Sequence, residues 1–115
     1  MDDLYLVAKA LEQHRDVRTV KVKDYLQEPK RSGYRSLHLI VEVPIYFQGE
    51  ELWRRAEIQL RTAAMDFWAG LDHQLIYKRG LKEAKLIGQE LYEYAQIVEE
   101  LDQKMVELRD RIAAI

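Results

Sequence analysis

The sequence predicts an α+β fold, with an antiparallel or mixed sheet packed with helices and a long helix at the C-terminal end. Residues 36–45 and 52–61 alternate between apolar and polar side chains on either side of Gln48-Gly49-Glu50, a pattern typical of a β-hairpin. Apolar residues in 87–115 recur at spacings of four and three for about four heptads, which is typical of a helix that packs on another helix. We divide the chain into a domain over 1–80 and a C-terminal helix over 81–115, which packs on the domain or in an oligomer.

Composition and charge narrow the class of protein. The chain contains no cysteine, and no apolar run approaches the roughly 18 residues that a membrane span requires. The N-terminal Met-Asp-Asp-Leu lacks the basic start of a signal peptide, so we expect a cytoplasmic protein that makes no membrane contact. The net charge of −2 hides an asymmetry, because 15–35 holds seven basic and three acidic residues whereas 81–115 holds five and eight. The basic segment is expected to attract a phosphate-bearing ligand.

The first third of the chain predicts a helix, a strand and a turn. One of the two N-terminal aspartates caps an amphipathic helix that ends near His14. Residues 17–23 alternate, which predicts a strand with Val20 and Val22 facing inward. Residues 24–27 are expected to form one turn of helix.

The predicted hairpin determines which side chains share a face of the sheet. The odd-numbered residues from 37 to 45 are apolar, and in the return strand the apolar residues are even-numbered, from 56 to 60. Antiparallel pairing with both apolar faces against the core places the alternate residues together on the other face. That face carries His38, Glu57, Gln59 and Arg61.

Two helices are predicted after the hairpin. Thr62 can cap a helix that runs to residue 79, and its apolar face contains Met65, Trp68, Ala69, Leu71, Leu75 and Ile76. Gly80 interrupts the pattern before the heptad helix begins. The heptad helix needs a partner, which is either the helix over 62–79 or a second subunit.

A basic turn with a central tyrosine precedes the hairpin, in the order Pro29-Lys30-Arg31-Ser32-Gly33-Tyr34-Arg35-Ser36-Leu37-His38. Pro29 fixes φ and Gly33 permits positive φ, so the backbone can fold back on itself. We expect the turn to gather a flat ring and three cations around one point: Tyr34, Lys30, Arg31 and Arg35. A flat anionic ligand such as a nucleotide suits this combination.

The polar face of the hairpin carries groups that could do chemistry. The carboxylate of Glu57 can hold a divalent cation or accept a hydroxyl proton, and Gln59 can hydrogen-bond the edge of a base. A solvated strand face shows the same alternation, so the pattern alone leaves both interpretations open, as it does for His38. We interpret His73 as structural, and the spacing of the three histidines argues against a metal site made of histidines alone.

Several function classes are not supported by the sequence. It contains no Walker loop, no G-x-S-x-G elbow and no zinc-protease helix. The basic turn could bind RNA, with Tyr25 and Tyr34 as stacking platforms. A net acidic chain with only one basic block argues against RNA as the partner.

Four segments resemble the RelA/SpoT synthetase domain, in that family's order and spacing. They are Lys23-Asp24-Tyr25, Pro29-Lys30-x-Ser32-Gly33-Tyr34-Arg35-Ser36-x-His38, Glu57-Ile58-Gln59-Leu60-Arg61-Thr62 and Met65-Asp66-Phe67-Trp68-Ala69. The likeness is greatest to the small alarmone synthetases, which also carry Trp68-Ala69-x-x-x-His73-x-x-x-Tyr77-Lys78 and a helical C-terminal tail. The resemblance implies the synthetase half of a nucleotidyltransferase-like fold. It also implies a pyrophosphokinase that uses Mg²⁺ to move the β,γ-diphosphate of ATP onto the ribose 3′-hydroxyl of GDP or GTP, making ppGpp or pppGpp.

The resemblance also implies a role for each matching residue. Tyr34 would stack on guanine, and Lys23 and Lys30 would meet the phosphates of the acceptor. Glu57 would activate the 3′-hydroxyl and help to hold Mg²⁺. The rest of the acceptor pocket would be lined by Ser32, His38, Gln59 and Ala69, with Arg35 and Arg61 in support.

The sequence departs from the family pattern at two places. Many members have Asn where this chain has Ser32, which affects fine recognition of the acceptor. The family's ATP-binding Arg/Lys and Ser pattern and its metal-binding Asp-x-x-Gly-x-Arg strand both precede the segment that Asp2-Asp3-Leu4-Tyr5 resembles. We therefore expect a guanine-nucleotide half that lacks the donor half and is inactive alone. A bare sheet edge together with the heptad helix predicts a homo-oligomer.

Two other functions remain open at this point. One is a non-catalytic module that binds a guanine nucleotide or mediates oligomerisation and regulation, and the other is an RNA-binding fragment. Incubation with ATP, GTP and Mg²⁺ separates a synthetase from the first, and a steep salt dependence of RNA affinity identifies the second.

Overall fold

The computed structural model describes residues 2–78 and 80–115, and Met1 and Arg79 lie outside that description. The elements follow in the order α1 (Asp2–Glu12), β1 (Arg18–Asp24), β2 (Leu37–Phe47), β3 (Glu50–Leu60), α2 (Ala63–Ile76) and α3 (Lys82–Ala113). The strands form one antiparallel sheet in the order β1-β2-β3. The prediction of an α+β fold with an antiparallel sheet and a long C-terminal helix is confirmed.

The pairing of β2 with β3 has the predicted parity. His38 lies opposite Gln59, and Ile40 lies opposite Glu57. The alternate residues Leu37, Leu39 and Val41 are fully buried. The sheet therefore has one face in the core and one face that carries the polar residues of the hairpin.

The prediction for β1 is wrong in one respect. Val20 and Val22 are each 44% exposed and so are not buried, although Val22 lies opposite Leu39 and shares the core face of the sheet. The register shifts between Thr19 and Lys21, so that Thr19 lies opposite Val41. A bulge of this kind inserts one unpaired residue, and β1 also lies at the edge of the described sheet, where burial is incomplete.

The outer half of the hairpin has only one neighbouring strand in the described sheet. β1 pairs with β2 only as far as Glu42. Beyond that point β2 contains Pro44, which lies opposite Trp53 of β3. Proline has no N–H to donate, so it fits a strand only where its nitrogen faces away from a ladder.

The turn after β1 is tied to α1 through Asp24. Its Oδ1 accepts hydrogen bonds from the backbone N–H groups of Leu26 and Gln27, both at 3.0 Å, and its Oδ2 accepts one from the hydroxyl of Tyr5 at 2.8 Å. The N–H of Glu28 donates to the carbonyl of Asp24 at 3.2 Å. The residues between them thus form the single turn that the sequence predicts.

The capping prediction for α2 is confirmed, but its apolar face is narrower than predicted. Thr62 accepts a hydrogen bond from the N–H of Met65 at 3.1 Å. The helix ends at Ile76, and position 79, where we expected the end, lies outside the described residues. Leu71 and Ile76 are 40% and 44% exposed, because the core contacts only one side of the helix.

The heptad region forms one continuous helix, α3, whose first half packs on α2. The indole Nε1 of Trp68 donates to the carbonyl of Leu91 at 2.7 Å. Ala95 is buried in the same cluster as Trp68. α2 is therefore the partner of this half of α3 within the chain.

The core consists of two neighbouring clusters. One lies between the sheet and the helices and contains Ala8, Leu26, Leu37, Leu39, Val41 and Met65. The other joins α2 to α3 and contains Trp68, Ala69, Leu91 and Ala95. Val98 packs against both clusters. Among the helices in the described part of the chain, none combines the length and apolar character needed to cross a bilayer.

Candidate functional site

A cavity of about 970 Å³ lies on the polar face of the sheet, between the basic turn and α2. We call it the sheet cavity. It gathers nine of the residues that the sequence singled out: Lys23, Lys30, Ser32, Tyr34, His38, Glu57, Gln59, Arg61 and Ala69. Residues that are far apart in the sequence thus line a single concave surface.

The basic turn brings Tyr34 to this cavity through its own hydrogen bonds. The N–H of Lys30 donates to the carbonyl of Tyr34 at 3.0 Å, and the N–H of Gly33 donates to the carbonyl of Lys30 at 2.9 Å. The hydroxyl of Ser32 accepts from the N–H of Tyr34 at 3.3 Å. Gly33 has a φ of +99°, a left-handed conformation that favours glycine. The glycine thus allows the chain to fold back and present the tyrosine.

Three rings form the floor of the sheet cavity. The His38 ring lies edge-on to Tyr25 and Tyr34, with centroids 5.1 Å and 5.8 Å away. The ammonium of Lys30 lies 4.9 Å from the centroid of the Tyr25 ring and 5.2 Å from that of Tyr34. Aromatic faces beside a cation suit a ligand that has both a flat ring and negative charge.

A chain of hydrogen bonds crosses the cavity from α2 to β3. Arg61 pairs with Asp66 at 2.8 Å and donates through Nη2 to the hydroxyl of Tyr34 at 2.8 Å. That hydroxyl lies 2.9 Å from Nε2 of His38, and Nδ1 of His38 lies 2.9 Å from Oε1 of Glu57. The carboxylate is thereby connected to the tyrosine of the basic turn.

The surroundings shift the pKa values of His38 and Arg61 in opposite directions. Burial is the main cause that lowers the pKa of His38; Glu57 opposes it, and the nearby cations Arg61, Lys30 and Lys23 add to the lowering. Burial alone would lower the pKa of Arg61, but its hydrogen bonds to Tyr34 and Asp66 raise it overall. His38 is therefore favoured as the neutral imidazole beside a permanent guanidinium.

Glu57 fits a magnesium ion that is shared with a ligand. Its carboxylate lines the sheet cavity and is 45% exposed. Over residues 2–78 and 80–115, no three His, Cys, Asp or Glu side chains cluster closely enough to enclose a metal ion. Mg²⁺ commonly binds through one or two carboxylates, with water and substrate phosphates completing its shell. The donor set therefore matches an ion brought with a phosphate ligand.

The arginines of the basic turn do not line the same cavity as Tyr34. Arg35 is absent from the lining of the sheet cavity and is only 5% exposed. Its guanidinium lies on the α3 side, where it donates to the carbonyl of Ala95 and pairs with Glu99 at 3.1 Å. Arg31 also lines a separate cleft beside α3. Lys30 and Arg35 line that cleft as well, so the three cations do share one concave surface, but Tyr34 does not line it. The expectation that Tyr34 would join all three is therefore wrong, and any support that Arg35 gives to the sheet cavity is indirect, through the packing of the turn.

Residues of α2 also line the cavity, although the sequence did not single most of them out as site residues. Asp66, Ala69, His73 and Ile76 all face it. Their spacings of three, four and three are those of one helical face. This spacing is the signal from which the cavity-lining face of α2 could have been predicted. His73, which we interpreted as structural, is one of the residues that line the cavity.

Comparisons with known protein sequences find matches to most of the chain. The family model described as "Region found in RelA / SpoT proteins" matches residues 1–82. The curated GTP pyrophosphokinase YwaC of Bacillus subtilis is 47% identical over 112 residues, which cover 97% of this chain and 53% of that protein.

Solved structures match the fold as well. The small alarmone synthetase 2 from Bacillus subtilis aligns with a TM-score of 0.89 and 47% identity, over 96% of this chain and 61% of that one. The small alarmone synthetase 1 from the same organism, bound to its product pppGpp, aligns with a TM-score of 0.85 and 37% identity, over 98% and 58%. The chain therefore spans about half the length of the curated relatives that it matches over nearly all of its own length.

Proposed function

The chain belongs to the RelA/SpoT family, and from this premise we propose that the sheet cavity is the acceptor-nucleotide site of a (p)ppGpp synthetase. The acceptor is GDP or GTP, and ATP is the diphosphate donor in the intact family. The observation that carries the proposal is the convergence of Tyr34, two lysines and Glu57 on one cavity. The relatives with matching folds include a structure described as bound to its product pppGpp, which supports the same ligand class.

The proposed roles follow from the chemistry of each side chain. Tyr34 stacks on the guanine, because an aromatic side chain offers a flat face on which a base can stack. Lys23 and Lys30 neutralise the acceptor phosphates. The remaining pocket is formed by Ser32, His38, Gln59 and Ala69, with Arg61 in support of Tyr34 and Arg35 in support of the turn.

Glu57 is the residue we assign to the chemical step. In this proposal it takes the proton of the ribose 3′-hydroxyl as a general base, because its carboxylate lines the sheet cavity and is partly exposed. Mg²⁺ would be held by Glu57 together with substrate oxygens, and it would neutralise phosphate charge. Phosphoryl transfer depends mainly on positioning and charge neutralisation, so a single aligned carboxylate is sufficient from the acceptor side.

Binding of the acceptor can be tested by isothermal titration calorimetry with GDP, GTP and ADP. We expect guanine nucleotides to bind more tightly than ADP. Tyr34→Ala should weaken GDP binding by about 10-fold or more, since base stacking contributes roughly 1–3 kcal/mol. Tyr46→Ala is the matched control, because Tyr46 is exposed and lies away from the cavity, at the far end of β2. Equal affinity for GDP and ADP would contradict the assignment.

Catalysis requires a separate experiment. We expect this chain, incubated with ATP, GTP and Mg²⁺, to form no alarmone by itself. The sheet cavity is assigned to the acceptor nucleotide, and the residues that line it include no proposed site for ATP. Robust product formation would contradict that expectation. Guanine-nucleotide binding without product would also be compatible with the alternative of a non-catalytic regulatory or oligomerisation module. A change in the activity of a full-length synthetase when this chain is added would favour that alternative.

We also propose that the chain forms a homo-oligomer through the second half of α3. Its heptad positions Leu101, Met105, Leu108 and Ile112 are between 44% and 62% exposed. A row of apolar residues at heptad spacing is the pattern with which helices pair. The first half of α3 would then pack in the core of its own chain, and the second half would pack against a second copy of the chain.

A further inference from the structure

The hydrogen-bond chain in the sheet cavity has a direction that is set by its two ends. Arg61 can only donate, and its Nη2 lies 2.8 Å from the Tyr34 hydroxyl. An ionised Glu57 can only accept, and its Oε1 lies 2.9 Å from Nδ1 of His38. Between them, the Tyr34 hydroxyl lies 2.9 Å from Nε2 of His38. The Tyr34 hydroxyl must therefore accept a hydrogen bond from Arg61 and donate one to His38, and His38 must donate one to Glu57.

The direction of the chain selects one tautomer of a neutral His38. If Nδ1 carries the proton, it donates to Glu57 and Nε2 accepts the tyrosine O–H. If Nε2 carried the proton, the Tyr34 oxygen would face two donors while the lone pair of Nδ1 would face the carboxylate oxygen. The second arrangement loses a hydrogen bond to a charged group, which costs more than a neutral one.

We propose that Tyr34 and His38 are positioning residues that orient the Glu57 carboxylate, with His38 held as the Nδ1–H tautomer by the hydroxyl of Tyr34. The inference rests on the proposed function, in which Glu57 meets the 3′-hydroxyl. It gives the two parts of Tyr34 different tasks, since the ring stacks on the base and the hydroxyl sets the histidine. One side chain would then contribute both to recognition of the guanine and, through His38, to the orientation of the general base Glu57.

The surroundings hold the members of the chain in place. His38 is 6% exposed and its ring lies edge-on to Tyr25. Arg61 is fixed by its ion pair with Asp66 at 2.8 Å. Among the described residues, His38 at 2.9 Å and Gln59 at 3.5 Å both contact Oε1 of Glu57. Oε2 is therefore the oxygen left for the ligand.

The test is a two-bond ¹H–¹⁵N correlation spectrum of the full chain with ¹⁵N-labelled histidine. We expect His38 to show a protonated Nδ1 and an unprotonated Nε2. His14 is an internal reference of the opposite kind, because its Nδ1 accepts the N–H of Asp16 at 3.1 Å and the proton must lie on Nε2. A wild-type His38 with its proton on Nε2 would overturn the proposal.

Tyr34→Phe separates the two tasks of the tyrosine. The ring remains, so GDP affinity measured by calorimetry should fall less in Tyr34→Phe than in Tyr34→Ala. Loss of the hydroxyl should make the Nε2–H form of His38 detectable, with the His14 signals unchanged. An unaltered His38 tautomer in Tyr34→Phe would overturn the role of the hydroxyl.

The two proposals can fail independently in these measurements. A wild-type chain that binds no GDP overturns the acceptor-site proposal, and with it the purpose assigned to the hydrogen-bond chain. A chain that binds GDP while His38 carries its proton on Nε2 overturns only the positioning role. Circular dichroism of Tyr34→Phe establishes that the variant is folded before either result is interpreted.

Discussion

Tyr34 and Arg35 are adjacent in the sequence, yet their side chains have different surroundings. Tyr34 lines the sheet cavity, whereas Arg35 contacts Ala95 and Glu99 of α3. Extended backbone alternates sides at every residue. The contact between Tyr34 and His38, four residues apart, shows that this alternation already applies before β2 begins. A single residue step thus separates a ligand-facing ring from a buried cation.

The same alternation explains how far the site could be predicted from the sequence. The pairing of His38 with the polar face of β3 followed from period-two patterning and is confirmed by the register. The position of Arg35 could have followed from the same rule had the extended region been started at Tyr34. We instead treated residues 29–35 as a turn, in which side-chain direction cannot be derived from periodicity.

Replacement of Arg35 tests whether it stabilises the fold. We expect Arg35→Met to lower the free energy of unfolding by about 1–3 kcal/mol, because the Ala95 carbonyl loses its buried donor. Arg31→Met is the matched control and should change stability by no more than about 0.5 kcal/mol, since Arg31 is exposed. Urea denaturation followed by circular dichroism measures both. Equal effects of the two substitutions would contradict the structural role of Arg35.

At the scale of elements, the basic turn and α3 are held together by a close backbone approach. A Cβ atom added to Gly33 would lie 2.9 Å from Cβ of Ala95 and 3.4 Å from the Trp68 ring. The sequence identified Gly33 as a turn glycine through its freedom of φ. The second reason for glycine, contact with a helix about 60 residues later, depends on tertiary packing and has no local signal.

Substitution of Gly33 measures both constraints together. Gly33→Ala should lower the free energy of unfolding by about 2–5 kcal/mol, from left-handed strain of roughly 1–2 kcal/mol and overpacking of roughly 1–3 kcal/mol. Gly49→Ala is the control, because Gly49 has a φ of +79° with no atom within 4 Å of the added Cβ. It should show the strain alone.

Chemical denaturation of the two glycine variants gives the comparison. A Gly33→Ala variant no less stable than Gly49→Ala would show that the contact with Ala95 relaxes without cost. Addition of Ala95→Gly to Gly33→Ala should recover part of the loss, because it removes the nearest atom. That recovery is the coupling between the turn and α3.

The strand β1 could be predicted from the sequence, but the position of its bulge could not. Alternation over 17–23 indicated a strand, and a strand is present. A bulge changes the register without changing the local pattern of residue types, so its position between Thr19 and Lys21 could not be derived from one sequence. Val20 is the residue left unpaired by this shift, whereas Val22 lies opposite Leu39 and is exposed because β1 is an edge strand.

At the scale of the whole molecule, α3 belongs to two environments. Leu91 and Ala95 are buried with Trp68, so the first half of the helix is part of the common core. Further along, the heptad residues are exposed, and Arg109 meets α1 through an exposed ion pair with Asp3 at 2.5 Å. The division of the chain at residues 80 and 81 therefore remains a prediction. The sequence established the heptad period, but the period alone could not distinguish a partner in the chain from a partner outside it.

Self-association is tested by size-exclusion chromatography with light scattering at micromolar concentration. We expect the wild-type mass to exceed that of one chain, and the double variant Leu101→Lys with Leu108→Lys to give a monomer, because buried charge opposes helix pairing. Gln103→Lys adds the same kind of charge at an exposed position outside the heptad row, and it should leave the mass unchanged. A wild-type monomer would contradict the proposed oligomer.

Pro44 in the outer half of β2 affects how the molecule resists aggregation. Beyond Glu42, β1 no longer covers this flank of β2, and the apolar side chains Ile45, Tyr46 and Phe47 there are largely exposed. A bare strand flank beside apolar side chains is a template on which a foreign strand can grow. Proline removes one N–H from that template. We expect Pro44→Val to accelerate fibril formation, measured by thioflavin T fluorescence on gentle heating, and an unchanged rate would show that the flank is protected in another way.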